Sequence, residues 1–360
     1  MRRLIIILMA LIAASCERDD PSQSHGDPIA FALSVPGLEV TKAEITNDGL
    51  VTGVNNGTIG VRLHETLIQD FIYGTRLLPE NGSWFPESGH DNKVQWKDKA
   101  SGDVIPAMSF FAFAFSPFSK YGSDILVGEG SRGRSVTISQ PNSYNGADFI
   151  DYLLSYEVDI PAQKVDDSHP VIGLQLEHAM TKVELYIDCA DAFKDPKYKI
   201  EFTDLSFKDV YRKATLTNSH HKKAGENGSN VWTVVYAEGD GSTTNYNWVH
   251  SSSSKQLDIK DSGEMKVMEF ITFPVNASFS STLSVAYSIY ENTGTDETPV
   301  WGDAIASSSS TFVLRNFTPK GWQSGHKVRY SLHIDNGIEL TGKITDWIEV
   351  DYIEGVIITD

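Results

Sequence analysis

Lys327-Val328-Arg329-Tyr330-Ser331-Leu332-His333-Ile334 carries an apolar side chain at every second position, with polar ones between. Successive side chains of a strand point to opposite faces, so this period reads as a strand with Val328, Tyr330, Leu332 and Ile334 buried and the other face in water. The same period recurs along the chain. Residues 282–289 bury Leu283, Val285, Tyr287 and Ile289; residues 182–187 bury Val183, Leu185 and Ile187 and turn Lys182 and Glu184 outward; Tyr198, Ile200 and Phe202 open another strand. Phe111, Phe113 and Phe115 alternate with Ala112 and Ala114, as in a strand covered on both faces.

Turn clusters separate these runs: Asn55-Asn56-Gly57, Glu80-Asn81-Gly82-Ser83, Glu226-Asn227-Gly228-Ser229, Gly239-Asp240-Gly241-Ser242 and residues 292–297. Asn-Gly and Asp-Gly supply the positive φ that tight turns require. Many short strands at such spacing predict an all-β sandwich or barrel. Helix signals are few: Leu63 to Leu78 and Phe149 to Tyr156 each allow a short one. The serine runs 251–254 and 307–310 read as surface loops. A length of 360 residues leads one to expect two domains of ordinary size, with one very large domain as the alternative. Asp166-Asp167-Ser168-His169-Pro170 is polar, contains proline and lies near mid-chain, and the strand pattern restarts at Val171. The expected division is therefore 28–167 and 168–360, a β-sandwich in each part.

The N-terminus is a targeting segment. Met1-Arg2-Arg3 is a basic start, and Leu4–Ala14 is apolar but too short to span a bilayer. Ala13-Ala14-Ser15-Cys16 resembles a bacterial lipobox, which implies a lipoprotein signal peptide over 1–15 and acylation of Cys16. Acyl chains then anchor the protein at ~0.8 kcal/mol per buried methylene. Residues 16–27 read as a polar tether. Its acidic start, Glu17-Arg18-Asp19-Asp20, resembles the signal that sends lipoproteins to the outer face of the outer membrane in Bacteroidota. The expected location is the cell surface, lipid-anchored. The chain carries a net charge of −18, and −20 once Arg2 and Arg3 leave with the signal. This argues against nucleic acid and against anionic membrane surfaces as partners, so that the membrane is reached through the lipid alone. Of two cysteines, Cys16 is the one to be acylated, which leaves Cys189 without a disulfide partner and expected to be buried.

Three segments together resemble the fimbrillin family, the subunits of the type V pilus of Bacteroidota. The first is Leu174-Gln175-Leu176-Glu177-His178-Ala179-Met180-Thr181-Lys182-Val183-Glu184-Leu185, an apolar strand, a histidine and a basic residue opening the next strand. The second runs from Gly321-Trp322 through Gly325-His326-Lys327 and Tyr330 to Leu332. The third is Thr345-Asp346-Trp347, at the end of a last core strand. The resemblance implies two tandem transthyretin-like β-sandwich domains and polymerisation by strand exchange. A trypsin-like protease cuts after a basic residue and removes the first strand, and a neighbouring subunit's strand fills the groove. Here the removable strand corresponds to Ile29, Phe31, Leu33 and Val35. The cleavage candidates are Lys42 first, a lysine where the family's protease prefers arginine, and Arg62 second, inside a strand-like run. The donor strand falls within 354–360, at Val356, Ile357 and Ile358. Implied partners are other fimbrillin subunits or a second copy, the processing protease, and a host protein or glycan.

No catalytic residue, cofactor or metal site is expected. Gly128-Glu129-Gly130-Ser131-Arg132-Gly133 fits a dinucleotide-binding spacing, but such a site needs a helix to begin there, and Ser135-Val136-Thr137-Ile138-Ser139 alternates as a strand. His220-His221, followed by Lys222-Lys223, reads as a polar loop, since adjacent histidines on a strand face opposite ways. His64-Glu65 lacks the second histidine of a zinc-protease helix. Asp151 and Asp188 are carboxylates with no partner in sequence. His178, on an apolar strand, reads as a hydrogen-bonded core or interface residue. The alternative function is a surface glycan-binding lipoprotein, which would present Trp84, Trp96, Trp232, Trp248 or Trp301 as stacking platforms.

Overall fold

The computed structural model describes residues 29–34, 59–65, 70–80, 83–87, 110–116, 122, 126–127, 135–144, 149–155, 158–160, 171–218, 222–223, 232–239, 241–249, 253–257, 263–335 and 337–347. Among these the chain is all-β, with no α-helix and two single turns of 3-10 helix at Asp191–Lys194 and Leu314–Asn316. The first ten strands are β1 (Phe31–Ser34), β2 (Gly60–Glu65), β3 (Asp70–Glu80), β4 (Ser83–Pro86), β5 (Phe110–Ser116), β6 (Leu126–Val127), β7 (Ser135–Ser139), β8 (Leu153–Ser155), β9 (Val158–Ile160) and β10 (Ile172–His178). There follow β11 (Thr181–Cys189), β12 (Tyr198–Tyr211), β13 (Lys213–Asn218), β14 (Lys222–Lys223), β15 (Trp232–Tyr236), β16 (Thr243–Val249), β17 (Lys255–Leu257), β18 (Met265–Thr272), β19 (Thr282–Asn292), β20 (Trp301–Val313), β21 (His326–Ile334) and β22 (Ile338–Asp346).

The C-terminal strands form two sheets, β18-β11-β21-β22 and β16-β12-β19-β20, with β17 pairing to β12. The alternation read from the sequence sets their inner faces. Val183, Leu185 and Ile187 of β11 and Val328, Tyr330, Leu332 and Ile334 of β21 share one core with Leu283, Val285, Tyr287 and Ile289 of β19. β11 and β21 run parallel in unbroken register from Lys182↔Lys327 to Cys189↔Ile334, so their apolar sets stay on one face.

The N-terminal strands close on themselves. β5 pairs β2, then β3, β4, β1, β10 and β8 follow in order, and β8 pairs back to β5, so seven strands make a hydrogen-bonded ring; β9 and β14 extend from β5. Ala112, Phe113, Ala114 and Phe115 are all buried, which matches a strand covered on both faces. A third assembly, β15-β13-β7-β6, joins strands from early and late in the chain. Val136, Ile138, Ala214 and Leu216 of this sheet pack with Phe113, Phe115, Tyr152 and Leu154 from the ring and with Ile271, Phe273 and Trp347 from the C-terminal part.

Several local expectations are corrected. The described residues of Leu63–Leu78 are strand and not helix; they supply parts of β2 and β3, which pair antiparallel. Val61 faces Thr75 and Leu63 faces Ile72, so β3 carries an extra residue there, and Gly74 at φ 52° takes up the bulge. Phe149–Tyr156 contains β8, whose three residues are buried between β5 and β10. Ser307–Ser310, expected as a surface loop, is strand, because each serine pairs across to β19; Ser307 and Ser309 are exposed and Ser308 and Ser310 half-buried. Lys222–Lys223 pairs with Val158–Asp159 instead of looping out, whereas His220 and His221 lie outside the described residues. β7 begins two residues past the glycine-rich 128–133 stretch, where a dinucleotide site would start a helix. Among the described residues four pairings cross the expected 167/168 division: β10 with β1 and with β8, β13 with β7, and β14 with β9. Residues 161–170 lie outside the described residues.

Candidate functional site

β1 is a four-residue member of the ring. It lies parallel to β10, with Phe31 beside Ile172, Ala32 beside Gly173 and Leu33 beside Leu174, and it meets β4 at one position, Phe31 beside Trp84. Parallel register keeps side chains of one face together. Phe31, Ile172 and Leu174 are buried, and Ala32 and Gly173 are exposed. Ile29, just before β1, has no exposed surface, and the Ile172 N–H donates to Ala30 O at 2.9 Å. The strand thus puts two apolar side chains into a slot and satisfies backbone groups along β10. Taking it out would leave that slot open beside an unpaired edge.

Of the other residues named from sequence, Cys16, Val35, Lys42, Val356, Ile357 and Ile358 lie outside the described residues. The Arg62 backbone lies in β2 between β3 and β5, across from Phe113.

The C-terminal strand ends at a junction with the ring. Trp347 follows β22 directly, is buried, and its N–H donates to Gly325 O at 2.9 Å. Its indole stacks on the His178 ring, centroids 4.3 Å apart at 12°. His178 Nδ1 is 2.6 Å from Asp151 Oδ2, and since a carboxylate oxygen accepts, Nδ1 carries the proton of this bond. Asp151 therefore has a fixed partner that sequence distance hid, and His178 is the buried, hydrogen-bonded interface residue that its apolar strand predicts. Ser324 Oγ donates to His178 O and the Gly325 N–H to Met180 O, both at 2.9 Å, which ties the turn before β21 to the end of β10. His178 Nε2, Asp151 Oδ1 and Trp347 Nε1 are buried without a hydrogen-bond partner among the described residues.

The motif from Gly321 to Tyr330 has a plain physical basis. Gly321 sits at φ 78°, and a Cβ there would lie 2.0 Å from Val275 O. This close approach allows the Val275–Trp322 bridge, with Val275 N–H donating to Trp322 O at 2.8 Å and Trp322 N–H to Val275 O at 2.9 Å. Trp322 Nε1 donates to Tyr330 Oη at 2.8 Å inside the core. Burial pushes the Tyr330 phenol far above its ordinary range, so it remains a neutral partner.

The profile of the fimbrillin-like family matches residues 80–347. The chain belongs to the fimbrillin-like family. Among solved structures, a fimbrial protein from Bacteroides vulgatus is similar at 17% identity and TM-score 0.50, covering 88% of this chain and 99% of that one. A fimbrial assembly protein from Parabacteroides distasonis aligns over 89% and 98% at 10% identity and TM-score 0.36. The fimbrial anchor protein Mfa2 from Porphyromonas gingivalis aligns over 91% and 100% at 13% identity and TM-score 0.30. No curated protein matches.

In this fimbrillin-like chain the three motif segments are structural. His178 and Lys182 flank the turn from β10 to β11; Lys182 Nζ reaches Glu269 Oε1 at 3.1 Å and lies 5.8 Å from the Trp347 ring. Trp96 and the side chain of Trp232 lie outside what is described, and the tryptophans whose side chains are described are not open platforms. Trp84, Trp322 and Trp347 are buried, and half-buried Trp248 and Trp301 each carry a lysine over the ring, Lys255 at 4.1 Å and Lys199 at 5.1 Å. Cys189 is free and buried, and burial pushes its thiol up to about 11.

Proposed function

We propose that this fimbrillin-like protein is a surface-exposed, lipid-anchored pilus subunit or accessory adhesin that assembles by protease-triggered strand exchange. The observation that carries the reading is β1: four residues, one register pair to β4, yet with Ile29 and Phe31 fully buried. Such a strand is held by its four-residue pairing to β10 and by its slot, and a second subunit's strand can replace both contributions. In this reading both parts of the chain, 28–167 and 168–360, are transthyretin-like sandwiches, the first a ring flattened around its core. Cys16 holds the acyl chains. Cleavage after Lys42 frees the first strand; Arg62 is the weaker candidate, because its strand is paired on both sides. The C-terminal Val356, Ile357 and Ile358 act as the donor strand for the slot of a neighbour. The partners are other fimbrillin subunits or copies of itself, and the products stand on the outer membrane and in the fimbrium.

A gel of protein from its native cell surface tests this. SDS-resistant oligomers are expected from the unaltered chain, and none from the Lys42→Ala, Arg62→Ala double variant. An unchanged ladder in the double variant overturns the cleavage step. Mass spectrometry should find an N-terminus at Ala43 in the oligomers; acylated Cys16 throughout would instead assign a tethered monomer or anchor.

A further inference from the structure

The outward face of sheet β18-β11-β21-β22 sorts its charge along the strands. Register places Lys182, Lys327 and Thr345 in one cross-strand rank, then Glu184, Arg329 and Lys343, then Tyr186, Ser331 and Thr341, and at the far end Asp188, His333 and Glu339. On β11, β21 and β22 the first two ranks hold four cations and one anion, in a chain whose net charge is −18; β18 adds Glu269 beside Glu184, and Lys182 and Glu184, expected to face water, are buried. Neighbouring acids take up part of this. Glu269 meets Lys182 and Lys266, Glu264 meets Arg329, and Glu184 lies 3.7 Å from Lys266. Lys343 is exposed and has no ion-pair partner among the described residues.

A groove of about 390 Å³ opens over the first three ranks, a volume in the range of small-ligand sites, with three cations, Lys327, Arg329 and Lys343, and one carboxylate, Glu184, in its lining. Its lining holds no aliphatic side chain. The Arg329 guanidinium lies 3.8 Å from the centre of the Tyr186 ring, which holds its planar fork in place. Ser331 and Thr341 add hydroxyls beside it.

The groove lies over the face of the sheet, where β11 and β21 are paired on both sides, and not along the outer edge of β22; over that face a peptide strand finds no main-chain ladder to join and no apolar pocket for its side chains. A fixed guanidinium, an exposed ammonium and paired hydroxyls match a different ligand. We propose that this groove binds an acidic saccharide, with its carboxylate on Arg329 and Lys343 and its ring hydroxyls on Ser331 and Thr341. The groove shares no residue with the β1 slot, so it stands or falls separately from strand exchange.

Titration calorimetry on the full chain tests it, with sialyllactose, a hyaluronan oligosaccharide, neutral lactose and a short polyglutamate peptide as probes. The expected result is saturable binding of at least one acidic saccharide, none of lactose, and weakening by about tenfold or more in Lys343→Glu and in Arg329→Gln. Glu339→Lys, on the last rank, should bind as the unaltered chain does. Lys343 is exposed, so its variant is expected to melt at the unaltered temperature. Equal binding of lactose, polyglutamate binding as tightly as the saccharides, an unchanged affinity in Lys343→Glu, or no saturable binding of either acidic saccharide would each overturn the proposal.

Discussion

The two ends of the molecule are built to different standards of permanence. The C-terminal sheets rest on long strands, fourteen residues in β12 and eleven in β19, and share one continuous core. The N-terminal ring closes through short strands, four residues in β1 and three in β8. Long ladders make opening cooperative, because many pairs must break together. A ring with one short member can lose that member while the rest persists. A subunit that trades one strand for another needs this asymmetry.

The sharpest way to break the comparison is to empty one buried aromatic position in each region. Phe31→Ala and Phe207→Ala should each cost about 3–5 kcal/mol. The first should speed hydrogen exchange in β1, β4 and β10 and leave β12, β19 and β21 protected; the second should unfold the C-terminal sheets. Uniform loss of protection in both variants would mean that the regions do not differ as described. Gly321→Ala comes next, at about 2 kcal/mol or more, since it adds a Cβ at positive φ against Val275 O. Thermal denaturation followed by tryptophan fluorescence would show it, as Trp322 loses its setting.

A smaller effect tests the seam between the regions. Asp151→Ala leaves His178 Nδ1 buried without an acceptor and should cost about 1–3 kcal/mol. In the double variant Asp151→Ala, His178→Phe much of that loss should return; strict additivity in the denaturation free energies would show the pair to be uncoupled. The smallest concerns Cys189, whose thiol rises from 9.0 to about 11 on folding. Below pH 9 the thiol is protonated in folded and unfolded chains alike. As pH rises from 9 to 11 the unfolded chain ionises first, so this contribution to stability is lost over that window. Urea midpoints for Cys189→Ala should fall less steeply there than those of the unaltered chain.

The alternation at residues 327–334 and 282–289 was enough to locate β21 and β19 and their inner faces, because a strand's period of two survives any tertiary context that buries one side. Residues 63–78 were not legible in the same way. Their apolar spacing suits a helix as well as a bulged strand, and the outcome rests on pairing with β2 and on Gly74. The serines of 307–310 look like loop by composition, but an edge strand needs only backbone groups to pair. The candidate slot was half legible: Ile29 and Phe31 announce a strand, whereas its place beside Ile172, far along the chain, does not show in local pattern. Asp151 as the partner of His178 had no sequence signal at all.

Sequence by itself thus determined the all-β class, the buried faces of the long strands and the motifs that mark the fimbrillin-like family, since these follow from local period and composition. Tertiary structure alone decided the parallel seat of β1 against β10, the Asp151–His178–Trp347 junction and the graded charge of the outer sheet face. Each of these depends on register between strands remote in the chain, and register is set by how whole apolar faces fit together rather than by any one segment.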